Sequence, residues 1–234
     1  MKRAPMRGVL LAALLALFVP GAALSQGTGD AVPRLPGGVS VVLLPVQSAV
    51  PLPSGAWPAG ASSREALLEQ VNAELQFAFD ERGESGDDWH TPAEVVDLAA
   101  RNPTLDVEPR RLAGSLLQAT SKGDRVPAPL HGQLRRVSAL FDARYMLVPL
   151  TLGWEPDTTT AAAGRDTAPA PDSAAGPAAP EGRTTGRAVL DLAMVDIRRG
   201  VVLWRGELHS DPASRDSPAL LATLAARLAR GAVP

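Results

Sequence analysis

Apolar residues along this chain recur with two different periods, and the changes of period mark its elements. Val39 to Val46 (VSVVLLPV) is a continuous apolar run rich in β-branched residues, which predicts a strand buried on both faces at the centre of a sheet. From Glu65 to Arg82 the spacing is helical. Leu67, Leu68, Val71, Leu75 and Phe79 share one face, and Ser62 with Glu65 forms a capping box. Thr91-Pro92-Ala93-Glu94 is a second capping box with proline at the first helical position, and Asn102-Pro103 stops that helix. Further helices are predicted over Pro109 to Ala119 and about Leu130 to Ala143.

Tyr145 to Trp154 (YMLVPLTLGW) reads as a strand, and Arg187 to Ile197 with Val201 to His209 reads as a hairpin. Its turn, Arg198-Arg199-Gly200, suits a three-residue loop with glycine in the left-handed position. In the second arm Val202, Trp204 and Leu208 alternate with Leu203, Arg205, Glu207 and His209, so one face is buried and the other partly wet. Pro218 to Arg230 closes the chain as a helix, with Leu220, Leu221, Leu224 and Leu228 on one side and Ser217 as its cap. The sum is an α/β fold, with α+β as the neighbouring alternative: one mixed sheet of four or more strands, flanking helices, and a C-terminal hairpin plus helix.

Two stretches cannot join a core. Residues 26–38 form a Gly/Pro-rich leader, and residues 157–186 form an Ala/Pro/Thr-rich segment whose ordering entropy nothing offsets, so it is expected to be disordered. Strand-like sequence flanks the second stretch on both sides. It therefore reads as an insertion within a single domain spanning 39–234.

The first 25 residues have the order of a secretory signal peptide: basic Lys2, Arg3 and Arg7, an apolar run from Val9 to Val19, then Ala23 and Ser25, with cleavage near Ser25. That run is 11 residues, short of the roughly 20 that span a bilayer. Export then leaves 20 basic against 25 acidic residues, net about −5, which gives no reason to bind nucleic acid or anionic lipid. No later run has membrane length, so no integral membrane segment is expected after cleavage. The chain has no cysteine, which excludes disulfides, thiolate metal sites and a cysteine lipid anchor. The Ala/Arg/Asp/Pro-rich, Lys-poor composition is of the kind met in bacteria of high genomic GC content. The expected location is periplasmic or secreted.

Candidate chemistry is sparse. His90, His131 and His209 lie at element ends and read as solvated surface histidines. Ser210 and Asp211 are neighbours of His209 in sequence, whereas a Ser-His-Asp relay needs side chains that converge from separate places. Gly114-Ser115 does not match a nucleophile elbow. The acidic stretch Asp80 to Asp88 puts Arg82 where a calcium loop needs an oxygen ligand and closes without a bidentate glutamate, so it reads as a solvated turn. Gly37-Gly38 precedes a strand, whereas a phosphate cradle follows one. Asp191 and Asp196 sit five residues apart on one strand and point to opposite faces, which rules out joint acid–base work; Asp196 is a turn residue. No catalytic, metal or cofactor site is expected, and the chain does not read as an enzyme. Trp57, in the polar loop after the first strand, is either a partner-binding anchor or a side chain folded back over the core.

The opening strand VVLLPV with Pro45, the segment Ala143 to Pro149, and the hairpin pattern Val195, Asp196, Gly200, Val202, Leu203, Trp204 together resemble a periplasmic group. That group is the α/β domains of the CsgG type, the TolB N-terminal domain and the LpoB-like activators. The resemblance carries no catalytic residues. Two departures stand out: the lipobox cysteine is absent, and the insertion lacks the alternating apolar residues of a membrane strand. Export, the fold pattern and the lack of a convergent polar constellation lead to the expectation of a soluble, non-enzymatic binding or adaptor domain that serves an envelope protein partner through a sheet edge or the Trp57 loop. A periplasmic small-molecule or glycan-binding domain is the alternative, with its ligand at the carboxyl ends of the strands.

Overall fold

The computed structural model describes residues 38–52, 54–81, 88–157 and 185–232. The signal-like segment, the leader up to residue 37 and residues 158–184 of the insertion lie outside the described residues.

The fold is α/β. Strands β1 (Val41–Leu43), β2 (Trp89–His90), β3 (Tyr145–Pro156), β4 (Thr185–Asp196) and β5 (Val201–His209) form one sheet in the order β2-β1-β3-β4-β5. A short β6 (Ala213–Ser214) pairs with the start of β4. β1 runs parallel to both neighbours, while β3, β4 and β5 form an antiparallel meander. Helices α1 (Arg64–Glu81) and α4 (Ala219–Ala232) cover one face; α2 (Pro92–Arg101) and α3 (Ala128–Phe141) cover the other.

β1 is an interior strand buried on both faces, as its apolar run predicts, but it lies second from the β2 edge and β3 takes the centre of the sheet. Val41 and Leu43 enter the core under α1 and α4, and Val42 and Leu44 enter the core under α2 and α3. Pro45 has no N–H to continue the ladder. At Val46 the amide of Asn72 on α1 replaces it, accepting from the Val46 N–H at 2.9 Å and donating to the Val46 carbonyl at 3.3 Å.

The Thr91–Glu94 capping box is present, with Thr91 N–H donating to Glu94 Oε2 at 2.7 Å. Ser217 caps α4 by accepting from the Ala219 N–H at 3.3 Å. The cap of α1 is Ser63 rather than Ser62. The helix begins at Arg64, so the third helical position is Ala66, whose N–H reaches Ser63 Oγ at 3.1 Å, and Glu65 falls one place short of a capping box.

The helix expected over Pro109 to Ala119 is instead two 3-10 turns, Pro109–Arg111 and Gly114–Leu117, with Leu112 extended between them. Tertiary partners hold the backbone in this path. Gln133 Oε1 accepts from the Ala113 N–H at 3.0 Å, and Arg205 donates to the carbonyls of Leu117, Gln118 and Thr120. This path sends both Leu112 and Leu117 into the second core.

Two further corrections concern the hairpin. Four residues, not three, separate the last pair Asp196 and Val201, because Ile197 leaves the ladder and gives its N–H to the Arg144 carbonyl at 2.9 Å. Gly200 does take the left-handed position, at φ +63°. A bulge at Leu203 then reverses the phase of β5, so that Val202 enters the second core while Trp204 and Leu208 face the first. The ends of the insertion are ordered as well. Thr185 and Gly186 belong to β4, and the Asp157 N–H donates to the Thr185 carbonyl at 2.9 Å.

Candidate functional site

β3 and β4 are 12 residues each, against three for β1. Their far ends extend past the second helical layer. On the first face this stretch is covered, and Leu152, Ala188, Leu190 and Leu208 are buried there. On the second face, alternation places Thr151, Gly153 and Glu155 of β3 beside Arg187, Val189 and Asp191 of β4 and Arg205, Glu207 and His209 of β5. All nine are half-buried or exposed. A bulge at Leu150 sets this phase by keeping Leu150 in the second core and turning Thr151 to the same side.

Cross-strand register organises the surface into rows: Thr151–Asp191–Glu207, Gly153–Val189–His209, and Glu155–Arg187. Arg205 is the fixed point. Its Nη2 donates to Asp191 Oδ2 at 2.7 Å, and its Nη1 donates to three carbonyls of the 3-10 segment at 2.7–2.9 Å. Gln118 Nε2 donates to Thr151 Oγ1 at 2.7 Å. His209 lies 3.8 Å from Glu155 and 3.9 Å from Glu207, beyond hydrogen-bonding distance. The result is a rigid, charged sheet surface with both signs interleaved.

Two grooves of about 270 Å³ each meet at Glu155. One has an apolar wall of Val50, Pro51, Leu52 and Val189; the other is lined by Glu155, Pro156, Asp157, Arg187 and His209. The wall stands there because the chain after β1 rejoins β3: the Val50 N–H donates to the Leu152 carbonyl, and the Leu152 N–H to the Ser48 carbonyl, each at 2.9 Å. This is the carboxyl end of β1 and β3.

The residues singled out from sequence fall in separate places. His90 and His131 are not the solvated surface groups expected. His90 stacks on Phe141 with ring centroids 4.5 Å apart, and its Nε2 meets Ser40 Oγ at 3.1 Å. Burial pushes its pKa down, with Glu94 as the weaker opposing influence. His131 Nε2 donates to the Ile197 carbonyl at 2.9 Å, and its ring covers Gly200, docking α3 on the hairpin turn. Ser210 is fully buried, accepting from the Ala188 N–H and donating to the Asp211 carbonyl, both at 2.9 Å. Asp211 takes Arg227.

Asp191 and Asp196 share no partner. Asp196 is the turn residue expected and is buried besides, bonded to Arg144. Burial raises its pKa. The Arg144 hydrogen bonds, the N–H groups of Arg199 and Arg198 and the guanidinium charge outweigh that and hold the carboxyl below its ordinary range. Trp57 is half-buried at the edge of the first core. Of the acidic turn, residues 82–87 lie outside the described residues. Among the described residues no three His, Cys, Asp or Glu side chains gather to hold a metal, and no helix is long and apolar enough to cross a membrane.

No family model and no curated protein matches this chain. Among solved structures, a PelC dodecamer from Paraburkholderia phytofirmans is similar at 12% identity over 84% of this chain and 91% of that chain, with a TM-score of 0.30. A likeness at that level carries no argument about function.

Proposed function

We propose that this protein is an exported, non-enzymatic binding domain of a bacterial cell-envelope assembly, and that it docks a protein partner on the open carboxyl end of its sheet. The observation that supports this most is the row of Glu155, Arg187, Asp191, Arg205 and Glu207 on adjacent rigid strands, uncovered on a face whose other half is packed under helices. Mixed charges on a fixed frame select a partner by complementarity and oppose the wrong one. The signal-like first 25 residues support export, and the engaged hydroxyl of Ser210 supports a non-catalytic reading.

The test is in-cell crosslinking of the tagged chain, with capture from the envelope fraction and mass spectrometry. Glu155→Arg with Glu207→Arg should abolish capture of the dominant partner and leave the melting temperature within about 2 °C, since both side chains are exposed. Capture that survives the double reversal would sink the docking surface. Trp57→Ala belongs in the same experiment: weakened capture at unchanged stability makes Trp57 an anchor, and a matching loss of stability assigns it to the core.

The groove walled by Val50, Pro51, Leu52 and Val189 favours a second reading, in which a glycan or small molecule binds there. Saturable thermal stabilisation by envelope glycans, lost in Val50→Asp, would select it.

A further inference from the structure

The outer surface of the α1/α4 layer carries a feature that the proposed docking surface does not use. Phe77 is 58% exposed, a large aromatic ring presented to solvent in the C-terminal third of α1. Beside it runs a groove of about 410 Å³ whose walls are two different helices. Glu74, Phe77 and Glu81 of α1 form one wall, and Ala222, Ala226 and Arg230 of α4 form the other. A cavity of about 150 Å³ accepts a benzene ring, so this groove has room for a phenyl side chain.

From this we infer that the surface is a self-association interface, with a second copy of this chain as its occupant. The argument is charge and shape complementarity of the surface with itself. The α1 wall bears the knob and the negative charges, whereas the α4 wall bears the small residues and the positive charge. None of Glu74, Glu81 and Arg230 has an ion-pair partner among the described residues. A two-fold axis along the groove exchanges the walls. It lays Phe77 of each copy over Ala222 and Ala226 of the other and sets Glu81 of each copy towards Arg230 of the other. Closed two-fold contacts require such a self-complementary patch. An anionic membrane is a poor occupant, because α1 carries Glu65, Glu69, Glu74, Asp80 and Glu81 against a single Arg64.

The test is sedimentation velocity of the chain purified from the envelope fraction, over a hundredfold concentration range. The expected result is a monomer–dimer equilibrium. Phe77→Asp should weaken dimerisation at least tenfold at unchanged melting temperature, and Ala226→Arg should do the same from the opposite wall. Glu81→Arg and Arg230→Glu should each weaken the dimer, and the double variant should recover most of the loss, which no foreign partner would produce. A chain monomeric throughout the range overturns the inference, as does a dimer indifferent to both Phe77→Asp and Ala226→Arg. These variants leave the open end of the sheet untouched, so a failure here does not affect partner capture there.

Discussion

Arg144 grips Asp196 through two hydrogen bonds, Nε and Nη2 to the same Oδ2 at 3.0 and 2.6 Å, and so ties the start of β3 to the end of β4. The carboxylate is 1% exposed and the guanidinium 42%. The other carboxylate oxygen accepts from the Arg199 N–H at 3.0 Å, so one side chain closes both the strand pair and the hairpin turn. Removing either partner has unequal consequences. Asp196→Ala strips the turn of its acceptor and should cost about 2–3 kcal/mol in urea unfolding. Arg144→Ala leaves the turn bonds in place and removes a half-exposed partner, so about 1 kcal/mol is expected. Equal losses for the two would contradict the assignment of Asp196 to the turn.

The same carboxylate and His90 set the pH response. His90 has a pKa lowered by burial from its ordinary value near 6.5, so the unfolded chain binds its proton more readily than the folded one. Its contribution is complete above about pH 6.5 and is lost as pH falls below that value. Asp196, held below its ordinary value, contributes fully above about pH 4 and loses that contribution as pH falls through its native value. Melting temperature should therefore fall in two steps on acidification. His90→Gln should flatten the step below pH 6.5, and Asp196→Asn the step below pH 4. A single step unaffected by His90→Gln would refute the first half.

Much of this fold was legible in the sequence because periodicity reports burial. The continuous run at β1, the helical stripes of α1 and α4, and the Thr91 capping box all stand where the pattern put them. What was not legible depends on partners remote in sequence. Between Pro109 and Thr120, Gln133 takes the Ala113 N–H and Arg205 anchors the carbonyls of Leu117, Gln118 and Thr120, partners 20 and more residues away that no local pattern reveals. The bulge at Leu203 inverts the phase of β5 because both faces have core to fill at that point. The open end of the sheet is seen only when β3, β4 and β5 lie in register. Arg187, Asp191, Arg205 and Glu207 occupy alternate positions in their strands, so a charged face was readable in each, but not that the three faces coincide.

Two glycines lie beneath tryptophans, and their surroundings separate their costs. A methyl group on Gly206 would overlap the indole of Trp204, two residues away on the same strand, and the ring has freedom to rotate. On Gly186 it would overlap both the indole of Trp154 and the backbone carbonyl of Glu155, which is held in the β3–β4 ladder. Gly206→Ala should cost about 1 kcal/mol and Gly186→Ala about 2–3 kcal/mol, each shifting tryptophan emission to the red as its ring leaves the core edge. The reverse order of stabilities would show that the β3–β4 end yields more easily than the ladder implies.

Gln47 offers a stabilising change. It follows β1, and both polar atoms of its side-chain amide are buried without a hydrogen-bond partner among the described residues. Oε1 lies 4.0 Å from where a Cβ on Gly114 would stand, and the walls include Val148. A buried amide without a protein partner costs about 1–3 kcal/mol. The backbone carbonyl of Gln47 accepts from Arg64 Nη2 at 2.9 Å, and a side-chain change leaves that bond intact. Gln47→Met keeps the length and volume and removes the two orphaned groups, so unfolding free energy should rise by about 1 kcal/mol. The open end of the sheet is close by, which makes the paired measurement decisive. Higher stability with unchanged partner capture makes Gln47 a structural residue carried at a cost. Higher stability with lost capture shows that Gln47 shapes the open end of the sheet from beneath, and a fall in stability would show that the amide is bonded in solution.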